Sequence, residues 1–147
     1  VPVIIDVEQD EPHTAEALAV STHIVVSEDF APGYTNKSNI SDMLKALRSS
    51  DDQTVIITRG EKGCAGLTKD SQFELPAYKV EVTDTTGCGD TFHGAYALAI
   101  AQGKSPMKAA QFASAAASLC ATRLGGRDGI PGLNELENFT ENNKLFS

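Results

Sequence analysis

The string Gly87-Cys-Gly-Asp90 carries the densest chemistry in this sequence. Glycines on both sides of Cys88 free the backbone to take unusual dihedrals and leave no side chain between main chain and ligand. Placed just before a helix, the N–H groups of Gly87, Cys88, Gly89 and Asp90 are expected to point into one concavity. The positive end of the helix makes such a nest attractive to phosphate oxygens and to developing negative charge. Asp90 then sits in the first helical turn with its carboxylate beside the anion site. The helix terminus keeps that carboxylate ionised, ready to take a proton from an attacking hydroxyl. Taken alone, a GxGD string is more often a capped glycine turn without function. It is neither GxxxxGK[ST] nor a GxGxxG that opens a helix after a first strand.

The elements that must hold this turn are readable from the pattern of the chain. Apolar, β-branched runs at residues 3–6, 23–26 and 54–58 predict buried strands of a parallel sheet. A short helix is expected over 14–20, a loop with Pro32 and Gly33 over 31–36, and a helix capped by Asn39 or Ser41 that runs to Arg48. Residues 49–53 read as a polar turn. Residues 63–67 and 72–75 flank Lys69-Asp-Ser71 as a β-hairpin, and 79–82 predict one more strand. Helices follow over 90–101 and from Pro106 to 122, the second rich in Ala and Ser, which permits close backbone approach. A glycine-rich segment spans 125–132, and a polar helix 134–142. Strands alternating with helices predict a doubly wound α/β sandwich without internal repeats.

Bulk properties narrow the partners. The chain has 147 residues, enough for one domain with a core of its own, and is 41% hydrophobic and 22% charged, ordinary for a globular protein. A formal net charge of -8 disfavours nucleic acid and anionic membranes. No apolar run reaches the roughly 18 residues of a membrane span, and no signal-peptide pattern opens the chain. The expected compartment is the cytosol. Cys64, Cys88 and Cys120 are odd in number and widely spaced, which fits reduced thiols rather than a disulfide framework or a zinc site. Cys88 reads as a tolerated small residue, with a reactive thiolate at the helix start as the alternative. His13, His23 and His93 are expected in packing or surface roles. Lys45 and Arg48 complement the negative end of a helix. The chain opens directly on an apolar run at Val1, which suggests a truncated domain.

The longer string Asp84-Thr-Thr-Gly-Cys-Gly-Asp90, followed by Thr91 and Phe92, resembles the DTxGxGD signature of the ribokinase-like (PfkB) carbohydrate kinases. Upstream, Thr58-Arg-Gly-Glu-Lys-Gly63 is similar to the family's T-x-G-x-x-G nucleotide segment. Downstream, Thr122-Arg-Leu-Gly-Gly-Arg-Asp-Gly-Ile-Pro131 is similar to its late glycine-rich, cation-binding segment. The resemblance covers essentially the whole chain. It implies the carboxy-terminal, nucleotide-binding half of a ribokinase-like sandwich, a mostly parallel sheet flanked by helices with a β-hairpin. The amino-terminal sugar-binding half and its lid would be absent.

By that resemblance Asp90 is the base, and the N–H groups of Gly87, Cys88, Gly89 and Asp90 form the anion hole. Thr58, Gly60, Glu61, Lys62, Gly63 and Ser114 border ATP, which brings Mg²⁺. The Asp84 side chain, with carbonyls of Thr86, Cys120, Arg123, Gly125 and Gly129, surrounds K⁺ or a similar monovalent ion. Arg123 and Arg127 flank the late glycines, where they reach phosphate or form surface ion pairs. The implied activity is ATP-dependent phosphorylation of a sugar or sugar-like alcohol, with keto-sugars and their sulfonated relatives suggested by the ending at Pro131. The alternative is a non-catalytic nucleotide-binding fragment that needs a complementary amino-terminal half or a second copy. In either case the isolated chain is expected to be inactive, since half the cleft would be missing. A dehydrogenase-like Rossmann domain is disfavoured, because the glycine turn lies late in the chain.

The sequence departs from the family pattern in three places. Ser27-Glu-Asp-Phe30 replaces the common N-x-x-E, so Glu28 or Asp29 would have to act on Mg²⁺ through water. Ser114 stands for a common Asn, and Cys88 for a common Ala.

Overall fold

A computed structural model describes residues 1–143 of the chain. They divide into two compact units, the first comprising 1–60 and 64–75, the second 61–63 and the residues from Pro76 onward.

The first unit is a five-stranded mixed sheet in the order β1-β2-β3-β4-β5. Strands β1 (Ile4–Val7), β2 (His23–Ser27) and β3 (Thr54–Thr58) are parallel, with Ile5 opposite Ile24 and Val25 opposite Ile56. β4 (Cys64–Leu67) and β5 (Gln72–Leu75) continue the sheet as an antiparallel hairpin, as expected from the polar turn between them. The runs Ile24-Val-Val26 and Val55-Ile-Ile57 are fully buried, as befits strands covered on both faces. β1 is only half-buried, because it is the edge of the sheet; the reading of it as a buried strand is corrected to that extent.

Three helices belong to this unit: α1 (Thr14–Val20), α2 (Ala31–Thr35) and α3 (Ile40–Leu47). The Asn39 side chain accepts the Asp42 N–H at 3.0 Å and caps α3, whose Met43, Leu44 and Leu47 join the core with Ile24, Val26, Val55 and Ile57. The loop expected over 31–36 is instead helix α2. Proline fits a first helical turn, where its missing N–H costs nothing, and Asn36 ends the helix in a left-handed conformation.

The second unit is built on three helices: α4 (Cys88–Ala101), α5 (Pro106–Ala121) and α6 (Leu133–Asn142). Tyr78, Ala115, Ala116, Leu119 and Leu136 form its core, with Phe112 and Phe139 against it. Ala109, Ala110, Ala113, Ala115 and Ala116 of α5 are almost wholly buried, which realises the close approach that small side chains allow. The strand expected over 79–82 does not form; those residues are irregular and mostly exposed. A β-branched run without a neighbouring strand to pair with has no ladder to join.

Candidate active site

The glycine turn that precedes α4 is positioned by the end of α5. The N–H groups of Thr83 and Asp84 both donate to Ala121 O, at 2.8 and 3.1 Å, occupying a carbonyl that a helix leaves unpaired at its end. The Asp84 carboxylate then holds two loops at once. Oδ1 accepts the Thr86 N–H and Oδ2 accepts the Gly125 N–H, each at 2.9 Å. One side chain therefore joins the glycine turn to the late glycine segment. The Thr86 N–H, the Gly125 N–H and the Thr86 hydroxyl, in that order, hold the Asp84 pKa below the usual carboxylate range.

Gly87 is the N-cap of α4 with φ 75°, a left-handed conformation that favours glycine. A Cβ on Gly87 would lie 2.9 Å from Gly126 Cα, and one on Gly126 would lie 3.2 Å from Thr86 O. The two glycine segments thus touch main chain to main chain. The Cys88 N–H donates to Thr85 O at 3.2 Å, so the turn itself engages that member of the expected anion hole. Gly89 and Asp90 follow in the first turn of α4, which has no side-chain cap, so their N–H groups lack intrahelical acceptors. A Cβ on Gly89 would meet nothing within 4 Å, so space for a ligand lies open there.

Asp90 lines a cavity of about 590 Å³ within this unit, together with Thr86, Gly87, Thr91 and Arg127 and the apolar Leu98, Phe112 and Ile130. That volume suits a small molecule. His93 lies one helical turn beyond Gly89, its Nδ1 2.8 Å from Gly89 O; a carbonyl only accepts, so this nitrogen donates.

The late glycine segment gathers oxygen atoms. A Cβ on Gly129 would lie 2.7 Å from Cys120 O and 3.2 Å from Gly125 O, so these carbonyls converge on a space that only glycine leaves open. Cys120 O accepts the Arg123 N–H at 3.2 Å and also faces the Thr122 N–H, while Gly125 O accepts the Gly129 N–H at 3.1 Å and keeps a second lone pair. With the Asp84 carboxylate, this all-oxygen set fits a hard cation. Among the described residues no group of three or more His, Cys, Asp or Glu side chains could hold a metal ion. The Arg123 guanidinium is engaged by Glu135, and Arg127 is the arginine that lines the cavity.

Cys64, Cys88 and Cys120 are all free thiols. Burial, and after it the neighbouring Cys120, push the Cys88 thiol up to about 11, and burial pushes Cys64 up to about 12. Desolvation thus acts against the reactive-thiolate alternative for Cys88.

The residues expected at the nucleotide are distributed over both units. Thr58 ends β3 and Gly60 follows it in the first unit, while Glu61, Lys62 and Gly63 belong to the second. Gly60 (φ 54°) and Gly63 (φ 90°) are left-handed, which explains the glycine spacing of that segment. Ser114 is buried on α5. Glu28 lies 3.6 Å from Arg59, which also pairs with Glu74 at 2.8 Å, so Glu28 already has a cationic partner within the first unit. Gly126 and Glu135 are the residues that sequence reasoning missed; the doubled glycine at 125–126 was the one available signal.

The fold is shared with solved ribokinases. A ribokinase from Thermotoga maritima superposes with a TM-score of 0.84 at 28% identity, over 95% of this chain and 49% of that one. The Arabidopsis thaliana ribokinase solved with ribose and ATP gives 0.85 at 29% identity, over 100% and 48%. A chain that carries a mixed α/β sheet unit and a clasped glycine turn at the start of a helix thus defines a ribokinase-like protein. The chain belongs to the pfkB family of carbohydrate kinases, whose profile matches residues 1–132. It is 32% identical to the ribokinase of Bacillus subtilis over 137 residues, 93% of this chain and 45% of that protein. Fructokinase-2 of Zea mays is 33% identical over 84 residues, 52% of this chain and 25% of that protein. The chain spans about half the length of the ribokinases it matches or less.

Proposed function

We propose that this chain is the carboxy-terminal, nucleotide-binding portion of an ATP-dependent sugar kinase and supplies its catalytic base, Asp90. The observation that carries the reading is the Asp84 clasp. It sets an uncapped helix start, with the N–H groups of Gly89 and Asp90, beside a cavity that Asp90 itself lines.

Phosphoryl transfer asks a protein chiefly for positioning and for charge stabilisation. The first-turn N–H groups and the α4 terminus stabilise charge on the transferring group, and one such donor is worth ~3–4 kcal/mol in a transition state. The Asp90 carboxylate takes the proton of the acceptor hydroxyl as that oxygen attacks. Arg127, lining the same cavity, offers a cation to an anionic acceptor or to a phosphate. Asp84 and the carbonyls of Cys120 and Gly125, with those of Thr86, Arg123 and Gly129, would hold a monovalent cation, whose charge would order the two glycine loops. The acceptor is read as a sugar or sugar-like alcohol, in keeping with the names of the ribokinase and fructokinase relatives.

Calorimetric titration of the chain with Mg-ATP in potassium buffer, beside Asp84→Ala, tests the reading. Saturable binding that weakens in the variant is expected. A well-folded chain that binds no Mg-ATP would overturn it. Turnover by the isolated chain is not expected, and phosphorylation of a hexose panel above background would refute that expectation.

A further inference from the structure

Two polar groups that border the Asp90 cavity have no partner in the fold. Thr91 follows Asp90 in the first turn of α4 and is 7% exposed. Its Oγ1 is buried and has no hydrogen-bond partner among the described residues. A helical threonine often gives its hydroxyl to the carbonyl four residues back. Here Gly87 O accepts the Thr91 N–H at 2.9 Å and leaves the hydroxyl unpaired. A buried hydroxyl in that state is costly, and a ligand that supplies an acceptor relieves it.

Arg127 is the second group. Arg48 is engaged by Asp51, Arg59 by Glu28 and Glu74, and Arg123 by Glu135. Arg127 is exposed and has no such partner among the described residues, although acidic residues outnumber basic ones by 20 to 12. Thr91, Arg127 and Asp90 line one cavity, whose wall is otherwise largely apolar, with Leu98, Phe112, Ile130 and Leu136. Apolar surroundings lower the local dielectric and strengthen an ion pair formed against them. A net charge of -8 repels anions at long range, and the Asp90 carboxylate repels them inside the cavity. A free guanidinium in the wall offsets that repulsion for an anionic ligand and does nothing for a neutral one.

We propose that Arg127 and Thr91 form a subsite for an acidic group on the acceptor, so that the sugar-like alcohol taken by this cavity carries a carboxylate or a phosphate. The planar guanidinium donates two parallel hydrogen bonds to either group. Threonine keeps two χ1 wells in a helix, so the Thr91 hydroxyl turns to donate to the same anion. The hydroxyl to be phosphorylated then meets Asp90 within the same cavity, while the transferring phosphate meets the N–H groups at the α4 start. Naming the ligand as the acceptor rests on the phosphotransfer reading; the anion subsite itself does not.

The test uses the 147-residue chain with carbon-13 in its threonine methyl groups, the Thr91 signal being the one lost in Thr91→Val. The probes are phenyl glucuronide and phenyl glucoside, which differ only in a carboxylate against a hydroxymethyl group and share a ring suited to the apolar wall. Phenyl glucuronide is expected to shift the Thr91 signal saturably, at a concentration at least about tenfold below the glucoside, the worth of one hydrogen bond to charge. Arg127→Gln should abolish that preference. Thr91→Val should weaken the glucuronide about tenfold, read on the Thr86 methyl signal in the same cavity, with Tm unchanged or raised because an unpaired hydroxyl is gone. A lowered Tm with unchanged affinity would show that Thr91 serves the fold alone. Equal affinity for the two glycosides, a preference that survives Arg127→Gln, or no shift with either probe would each overturn the proposal. Release of the glucuronide by saturating Mg-ATP would also overturn it, by assigning the guanidinium to the nucleotide's phosphates. A chain that binds no Mg-ATP counts instead against the phosphotransfer reading, and the two glycosides still decide the anion subsite.

Discussion

The two glycines of the GCGD turn are predicted to respond in opposite ways to one added methyl group. Gly87 has φ 75°, and its new Cβ would lie 2.9 Å from the backbone of Gly126. The left-handed conformation costs an alanine about 1–2 kcal/mol. Overlap with main chain that cannot rotate away adds about 1–3 kcal/mol. Gly87→Ala is therefore expected to destabilise the chain by about 2–5 kcal/mol, which lowers Tm by about 6–15 °C at this length. Gly89 has open space at its Cβ and lies within α4, where alanine is the better helix former by about 0.5–1 kcal/mol. Gly89→Ala should leave Tm unchanged or slightly raised. Its methyl group would nevertheless occupy the space assigned to phosphate and weaken Mg-ATP binding about tenfold or more, the loss of one hydrogen bond to charge. Circular-dichroism melts and calorimetry on both variants separate the two effects. Equal melting temperatures for the two variants would refute the reasoning about Gly87, and undiminished Mg-ATP affinity in Gly89→Ala would refute the placement of phosphate.

Other consequences can be checked on the same preparation. Gln53 is buried, its Nε2 donating to Leu18 O and Ser21 O at 2.8 Å each and its Oε1 accepting the Ser49 N–H at 2.8 Å. Gln53→Ala leaves those groups unsatisfied and should cost about 2–4 kcal/mol in urea unfolding; a cost below 1 kcal/mol would refute this. A Cβ on Gly66 would lie 2.3 Å from the Phe73 ring and 2.8 Å from Ile56 Cδ1, so Gly66→Ala should destabilise by about 1–3 kcal/mol, and an unchanged Tm would count against the packing described. Asp84 has a depressed pKa in the folded chain, so its contribution is complete above the ordinary carboxylate pKa, about 4, and is lost as pH falls through the lower folded value. In cation-free buffer the stability gap between the native chain and Asp84→Asn should therefore be constant above that pH and close on further acidification; a gap that widens would show the opposite sign.

Much of this architecture was legible in the residues themselves. β-branched runs at 23–26 and 54–58 have the composition of strands buried on both faces, and they became the two buried parallel strands. Asn39 before an amphipathic stretch marked the start of α3, and the polar turn at 69–71 marked the hairpin. Local signals misled where two outcomes share one composition. Pro32 and Gly33 suit a loop or a first helical turn equally, and the chain took the helix. Residues 79–82 have strand-like alternation, but a strand also needs a neighbour, which no local pattern supplies.

Residue types and spacing thus determined which atoms are available for chemistry at 84–90, because backbone freedom at glycine and the reach of a carboxylate are local properties. Only the tertiary structure decided what those atoms do to one another. It set Asp84 against Gly125, Gly87 against Gly126 and Arg123 against Glu135. Each of those contacts joins groups more than ten residues apart, and which of them meet depends on how α4 and α5 pack.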